Sequence, residues 1–316
     1  MPHPAWVTRK DEREDPNAVA TLASLIRNGD FVLTAELNPP KSASAQVVRR
    51  RAGVLKGFVD AVNVTDSNRA VVAMAALPAA LLVRDAGVEP IMQVTGRDRN
   101  RIAVQADLLG AAALGLPNVV FMSGDDPKVG NHPDAVHVKD LDGTSLVRTA
   151  AMLRDGHFLN GDEIKQPPDY FIGATAAPFT TPMSKDIEKT LEKIAAGAQF
   201  LQTQPVFDLP TFTRWLAEIR KTSREVAIIA GVLVLRSVAQ AERMAKIPGL
   251  SIGEAIVERM RGAADGEAEG IAIAVETLTS LRATPGVSGA HLYAIEWPEA
   301  IPLVVERAGL LPRPTA

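Results

Sequence analysis

From residue 31 onward, short apolar runs rich in β-branched residues alternate with longer runs rich in alanine and leucine. That alternation marks βα units and a parallel sheet whose strands are covered on both faces. Eight strands are expected, at 31–37, 60–65, 90–95, 118–123, 170–174, 200–204, 226–232 and 290–295. Helices are expected between them at 44–56, 70–85, 101–114, 145–154, 186–196, 211–221 and 238–245, with Gly197 and the pair Leu209-Pro210 at helix boundaries. The longest apolar stretch, 70–82, is interrupted by Pro78 and is too short to cross a bilayer, so it reads as a buried helix.

Right-handed crossovers that keep adding parallel strands either close a barrel or build an open doubly wound sheet. An open sheet often carries a glycine-rich dinucleotide fingerprint after a strand, and no G-x-G-x-x-G occurs here. The pattern therefore predicts an α/β fold, a (β/α)8 TIM barrel. Its expected organisation is an N-terminal extension over 1–30 and one catalytic domain over 31–316. Two segments exceed a minimal barrel: a long loop at 125–143, rich in Pro, His, Asp and Gly, and one or two extra helices at 252–289, before the last strand.

Composition narrows the chemistry. The 316 residues are 47% hydrophobic, enough for a full core, and the net charge of -3 supplies no broad basic field for nucleic acid or anionic lipid. With no cysteine, the chain has no disulfide, thiolate zinc site, iron–sulfur cluster or cysteine nucleophile of its own. The polar, mixed-charge start resembles neither a signal peptide nor a membrane span, so a cytoplasmic protein with no membrane partner is expected.

In such a barrel the chemistry sits at the C-terminal ends of the strands. The first ends in Thr34-Ala35-Glu36-Leu37-Asn38-Pro39-Pro40, an acid inside an apolar strand followed by a proline pair. Glu36 is either a mouth carboxylate paired with Arg97 or Arg99, or a desolvated acid whose raised pKa lets it deliver a proton near neutrality. The second and third strands run into 63–69 and 93–100, dense in hydrogen-bonding groups, where helix capping by Asp66, Ser67 or Asp98 is the commoner use. The fourth gives Ser123-Gly124-Asp125-Asp126, by itself only a turn. Gln202 and Gln204 bring amides toward the barrel axis, either to recognise a heterocycle or to satisfy a strand-end carbonyl, and alternation puts His291 and Tyr293 on one face of the last strand. No catalytic triad, histidine-rich metal cluster or strand-end lysine of the aldolase type assembles from these residues, and no metal is expected.

Taken in order, these strand ends resemble the methylenetetrahydrofolate reductase family, in detail the branch of acetogenic and related bacteria. The likeness runs over roughly 31–311 and is closest at 63–70, 93–102 and 107–125. It implies an oxidoreductase of one-carbon metabolism that converts 5,10-methylenetetrahydrofolate to 5-methyltetrahydrofolate or the reverse. It assigns Glu36, in Glu-x-x-Pro-Pro, as the catalytic acid, and Asp125 as the aspartate near flavin and folate that favours a cationic intermediate. It assigns Gln204 and Tyr293 to folate. Thr65, Gln93, Ser123, Gly124, Asp125, Asp186 and Lys193 fall to the cofactor, which would be FAD (FMN possible), reduced by NADH or another electron donor.

The sequence also departs from the better-known branch. Val138 or Ala177 replaces an aromatic residue, Glu192 a helix arginine, Val238 a pocket phenylalanine and Trp297 an arginine. A flavin-independent or deazaflavin-using reductase of the same substrate is therefore the alternative, as is a folate-binding subunit of an electron-transfer complex. A homo-oligomer or such a complex is the assembly the resemblance implies.

Overall fold

The structure is a computed structural model that describes residues 21–247 and 249–314. Eight strands, β1 (Val32–Leu37), β2 (Ala61–Val64), β3 (Pro90–Thr95), β4 (Asn118–Met122), β5 (Phe171–Ala176), β6 (Phe200–Pro205), β7 (Ala227–Leu233) and β8 (Gly289–Tyr293), form a closed barrel in chain order. All are parallel, and β8 closes on β1 with His291 opposite Thr34. The expected TIM barrel is the observed one.

Strand alternation sorts the side chains into two populations. Leu33, Ala35 and Leu37 of β1 face outward into the shell shared with the helices, while Val32 belongs to a separate interior layer with Ala61, Ile91, Val120, Phe171 and Phe200. Phe171 and Phe200 stack with centroids 5.0 Å apart. Gly173 makes room for them, because a Cβ there would overlap the Phe200 ring. Above this layer lies a polar one that satisfies itself. Asn63 Nδ2 donates to Gln202 Oε1 at 2.6 Å, Gln202 Nε2 donates to Asn63 Oδ1 at 3.0 Å, and Thr34 Oγ1 lies 2.8 Å from His291 Nδ1. Each bond nets only ~1 kcal/mol, but an orphaned buried partner costs ~1–3 kcal/mol, so this layer fixes the register of the strands it joins.

The helices α2 (Ala45–Leu55), α3 (Ala76–Asp85), α4 (Arg101–Ala113), α5 (Gly143–Arg154), α6 (Met183–Ala195), α7 (Leu209–Thr222) and α8 (Val238–Met244) follow the first seven strands. Two further helices, α9 (Glu254–Gly262) and α10 (Gly266–Arg282), precede β8, as the extra length at 252–289 predicts, and α11 (Ala300–Arg307) follows it. The loop expected at 125–143 carries one 3-10 turn, Pro127–Val129. No described helix is long and apolar enough to cross a membrane.

Two elements differ from expectation. The third helix begins at Ala76 rather than at residue 70, because a 3-10 turn at Asn68–Ala70 and an extended segment intervene. Pro78 thereby falls in the first turn, where its missing N–H costs nothing. Within the expected N-terminal extension, residues 1–20 lie outside the described residues, but Leu22–Asn28 forms a helix, α1, capped by Thr21 and by Gly29 in the left-handed region. Its fully buried Leu22 and Leu25 close the lower end of the barrel on the Val32 layer, and Glu89 Oε1 accepts from the Leu22 N–H at 3.0 Å.

Candidate active site

At the upper end, the strands are fully buried except for a few inward positions near their C-termini. Glu36 in β1, Thr175 in β5, Gln204 in β6 and Tyr293 in β8 are open to solvent inside otherwise buried runs. This ring of open polar positions is the barrel mouth.

Glu36 lines a cleft of about 620 Å³ together with Asn38, Pro40, Thr65 and Arg69. Arginines do not neutralise it. Arg97 is spent on Asp98, and Arg99 on Asp66 and Asp107, so the ion-pair role open to Glu36 from sequence is not the observed one. Its hydrogen-bond partner is Asn38, with Nδ2 3.3 Å from Glu36 Oε1. Burial pushes the Glu36 carboxyl up to about 7, and the Asn38 bond only partly opposes the rise.

Asn38 is the residue that sequence reasoning missed. Its Oδ1 accepts from Thr65 Oγ1 at 3.0 Å and from Asn68 Nδ2 at 3.3 Å, while its carbonyl oxygen accepts from the Arg51 guanidinium. The signal was present as an amide two positions after the acid, on the same side of an extended chain.

Below the mouth, burial pushes His291 down to about 3, so its ring is neutral, and it stands edge-on to Tyr293 at 4.4 Å between centroids. Tyr293 Oη donates to the Thr203 carbonyl at 3.1 Å. Burial first, and the Glu36 charge second, raise the Tyr293 phenol far above its ordinary value, so it remains a hydrogen-bond donor at neutral pH.

Asp66 is not a helix cap. Its Oδ2 accepts from the Thr95 N–H at 3.0 Å and the Thr95 hydroxyl at 2.9 Å, and both its oxygens meet Arg99, which ties the ends of β2 and β3 together. Gln93 is nearly buried on the inward face of β3. After β4, Gly124 adopts φ +84, and a Cβ there would press on Thr95 and Arg97 at 3.0–3.1 Å. Asp125 follows as an exposed side chain at the same end of the barrel. It does not line the Glu36 cleft, although Val129, further along its loop, does.

Ser123 and Lys193 meet at the start of α5, where a Cβ on Gly143 would stand 3.5 Å from Ser123 Oγ and 3.6 Å from Lys193 Cε. That helix start is capped by the Asp142 carboxylate, which accepts from the Ser145 N–H at 2.8 Å. The Lys193 ammonium, its pKa lowered by burial, donates to the Thr175 carbonyl at 2.7 Å. Asp186 is buried and its oxygens are committed to protein: Oδ1 accepts from the Ala177 N–H at 2.9 Å, and Oδ2 from Trp215 Nε1 at 2.8 Å and Thr190 Oγ1 at 3.3 Å. Neither Asp186 nor Lys193 lines the Glu36 cleft.

Several known proteins share this architecture. The chain is 21% identical over 309 residues to methylenetetrahydrofolate reductase 2 of Schizosaccharomyces pombe, covering 93% of this chain and 48% of that protein. It is 23% identical over 235 residues to the 5,10-methylenetetrahydrofolate reductase of Pectobacterium carotovorum subsp. carotovorum, covering 72% of each. The chain thus spans about half the length, or less, of the yeast relatives it matches. Among solved structures, an uncharacterized protein from Clostridium thermocellum, described as binding two copies of 5-methyl-5,6,7,8-tetrahydrofolic acid, superposes with a TM-score of 0.67. That match covers 92% of this chain and all of the other at 15% identity, a likeness of fold. The family model for methylenetetrahydrofolate reductase matches residues 21–309, nearly every described position, and the chain belongs to that family.

Proposed function

We propose that this chain reduces the methylene bridge of 5,10-methylenetetrahydrofolate to the methyl group of 5-methyltetrahydrofolate, or runs the reverse oxidation, as a cytoplasmic enzyme. The observation that carries the reading is Glu36, an acid without an ion-pair partner, raised to about 7 by burial and open to a cleft at the barrel mouth. The substrate's five-membered ring must open before its carbon can accept hydride, and opening requires a proton on the departing nitrogen. A carboxyl that is still protonated near neutrality can deliver it, an effect worth ~10²–10⁴-fold in rate. Opening leaves an iminium cation, whose charge the Asp125 carboxylate, exposed at the same end of the barrel, would favour. Gln204, an exposed amide in a buried strand, and Tyr293, whose hydroxyl oxygen can still accept while its hydrogen goes to the Thr203 carbonyl, hold the pterin edge. The hydride that the iminium carbon accepts would be supplied by a reduced donor ring bound at this mouth, which would give up two electrons.

The donor is a second question. FAD would call on Asp186 and Lys193 for its distal half, and both already bond protein groups. Asp186 has no oxygen free of protein donors, Lys193 is turned to a backbone carbonyl, and the adjacent helix start already holds the Asp142 carboxylate where phosphate would bind. That observation favours the flavin-independent reading, in which NADH or a similar carrier gives hydride directly, with Thr65, Gln93, Ser123 and Gly124 beside its ring. Two measurements on the purified chain test the proposal. Incubation with NADH and methylenetetrahydrofolate should yield the methyl product, and failure with NADH, flavin or deazaflavin alike would sink the assignment. An absorption spectrum without a flavin band, from a protein that turns over, supports the direct donor; a yellow protein that loses activity when stripped of flavin refutes it.

A further inference from the structure

We infer that the outer wall of the Glu36 cleft, formed by Lys41, Arg51 and Arg69, is a carboxylate subsite that takes the glutamyl tail of the folate. This rests on the proposed function and extends it to the part of the substrate remote from the reacting carbon. All three cations line the same cleft as Glu36, and among the described residues none of them forms an ion pair. The chain as a whole is acidic, yet this cleft is lined by three cations against two acids, a local departure from its charge balance. The one other acid lining the cleft is Glu296, after β8. Lys41 and Arg69 are exposed, and Arg51 is half-buried with its guanidinium anchored on the Asn38 carbonyl.

The backbone holds Arg69 in place at a cost. Ser67, Arg69 and Ala70 adopt φ values of 48, 56 and 53, a left-handed conformation that non-glycine residues adopt at ~1 kcal/mol or more each. The loop after β4 braces this strained segment. A Cβ on Gly130 would overlap the Ala70 carbonyl oxygen, and Asn131 Oδ1 accepts from the Val72 N–H at 3.0 Å. Strain maintained by a second loop at the edge of a cleft is a feature of sites that hold a ligand.

The chemistry of the reaction gives the direction. The nitrogen that must be protonated is the one bonded to the aminobenzoyl group, and the glutamyl carboxylates lie at the far end of that group. A tail leaving Glu36 therefore passes along the cleft, whose lining offers both apolar contact to the ring, from Pro39, Pro40, Val71, Ala73 and Val129, and the three cations. Bidentate or charge-assisted bonds to carboxylates are the strong class, and Arg is suited to them. The phosphates of a dinucleotide donor could occupy the same wall, and the test separates the two.

Calorimetric titrations of the full chain would compare 5-methyltetrahydrofolate carrying one or five glutamates, the tail-less 6-methyltetrahydropterin, and NADH. The expected result is that Lys41→Gln and Arg69→Gln each weaken the folates by about tenfold, more for the longer tail, while the tail-less pterin binds as before. Equal affinity of wild type for tailed and tail-less pterins, or unchanged folate binding in both variants, would overturn the subsite. So would a loss confined to NADH, which would give the wall to the donor's phosphates. Failure of wild type to bind either pterin would instead refute the folate reading itself. Circular dichroism of each variant confirms the fold, and Lys41→Arg, which keeps the charge, should bind the folates within about twofold of wild type.

Discussion

Glu36 and Asn38 form a side-chain pair one strand step apart, with Asn38 Nδ2 donating to Glu36 Oε1 at 3.3 Å. So long a bond is weak, and it leaves burial in command of the carboxyl, which sits at about 7. Asn38 is itself anchored by Thr65, Asn68 and Arg51.

Glu36→Gln should reduce folate turnover by about a hundredfold or more, while ligand binding persists. In wild type, the acid form is lost as pH rises through about 7, so kcat should fall above that value, and the variant's residual rate should lose this inflection. Stability should fall in the same direction. A carboxyl whose folded pKa lies above its unfolded value of 4.5 contributes fully below 4.5, and that contribution is lost as pH rises toward 7. Glu36→Gln should therefore melt higher than wild type above neutrality and nearly with it in acid. Equal turnover, or no pH-dependent difference in melting, would remove Glu36 from this role.

Asp125→Asn tests the cation. The side chain is exposed at the mouth, so its field is partly screened, and an effect of about tenfold to a hundredfold on kcat is expected, with KM for the hydride donor little changed. Single-turnover kinetics with folate and donor varied separately would measure it. Weakened binding of folate and donor together, with kcat little changed, would assign the residue to loop structure instead.

The sequence made the barrel legible because eight apolar strands alternate with helices at regular intervals, and β3, Pro90–Thr95, has the bounds the pattern predicts. Glu36 was legible for the complementary reason, an acid where an apolar residue belongs. What stayed hidden depends on contacts distant in sequence. Asp66 looks like a cap until Arg99 and Thr95 fold back onto it. The helix closing the barrel floor was hidden only by its shortness, since Thr21 and Gly29 mark its ends and Leu22 and Leu25 share a face. The cationic wall brings Lys41, Arg51 and Arg69 from three separate segments, and no spacing rule joins them.

Asp186→Ala distinguishes a cofactor contact from a structural one. Removing the carboxylate leaves Trp215 Nε1, itself fully buried, and the Ala177 N–H without their acceptor. An orphaned buried donor costs ~1–3 kcal/mol, so a loss of about 2 kcal/mol or more is expected in denaturant unfolding, with donor affinity nearly unchanged in protein that remains folded. Weakened donor binding at unchanged stability would restore the residue to the cofactor site.

Arg313 and Asp60 lock the segment after α11 to the barrel floor. Arg313 Nη2 lies 2.6 Å from Asp60 Oδ2 and 2.9 Å from the Phe31 carbonyl, and Asp60 Oδ2 also accepts from the Leu33 N–H at 2.6 Å. The side chains are 9% and 2% exposed, so neither partner can turn to water if the other is lost. Breaking such a pair costs ~3–5 kcal/mol, mostly the penalty of the charge left behind. Arg313→Ala should therefore destabilise the protein by about 3 kcal/mol or more. Adding Asp60→Asn should recover part of that loss, because the amide carries no charge to bury and its Oδ1 still accepts from Leu33. The double substitution distinguishes an uncompensated charge from lost packing: if it falls further in denaturant midpoint than Arg313→Ala alone, the ion pair is not what holds the segment.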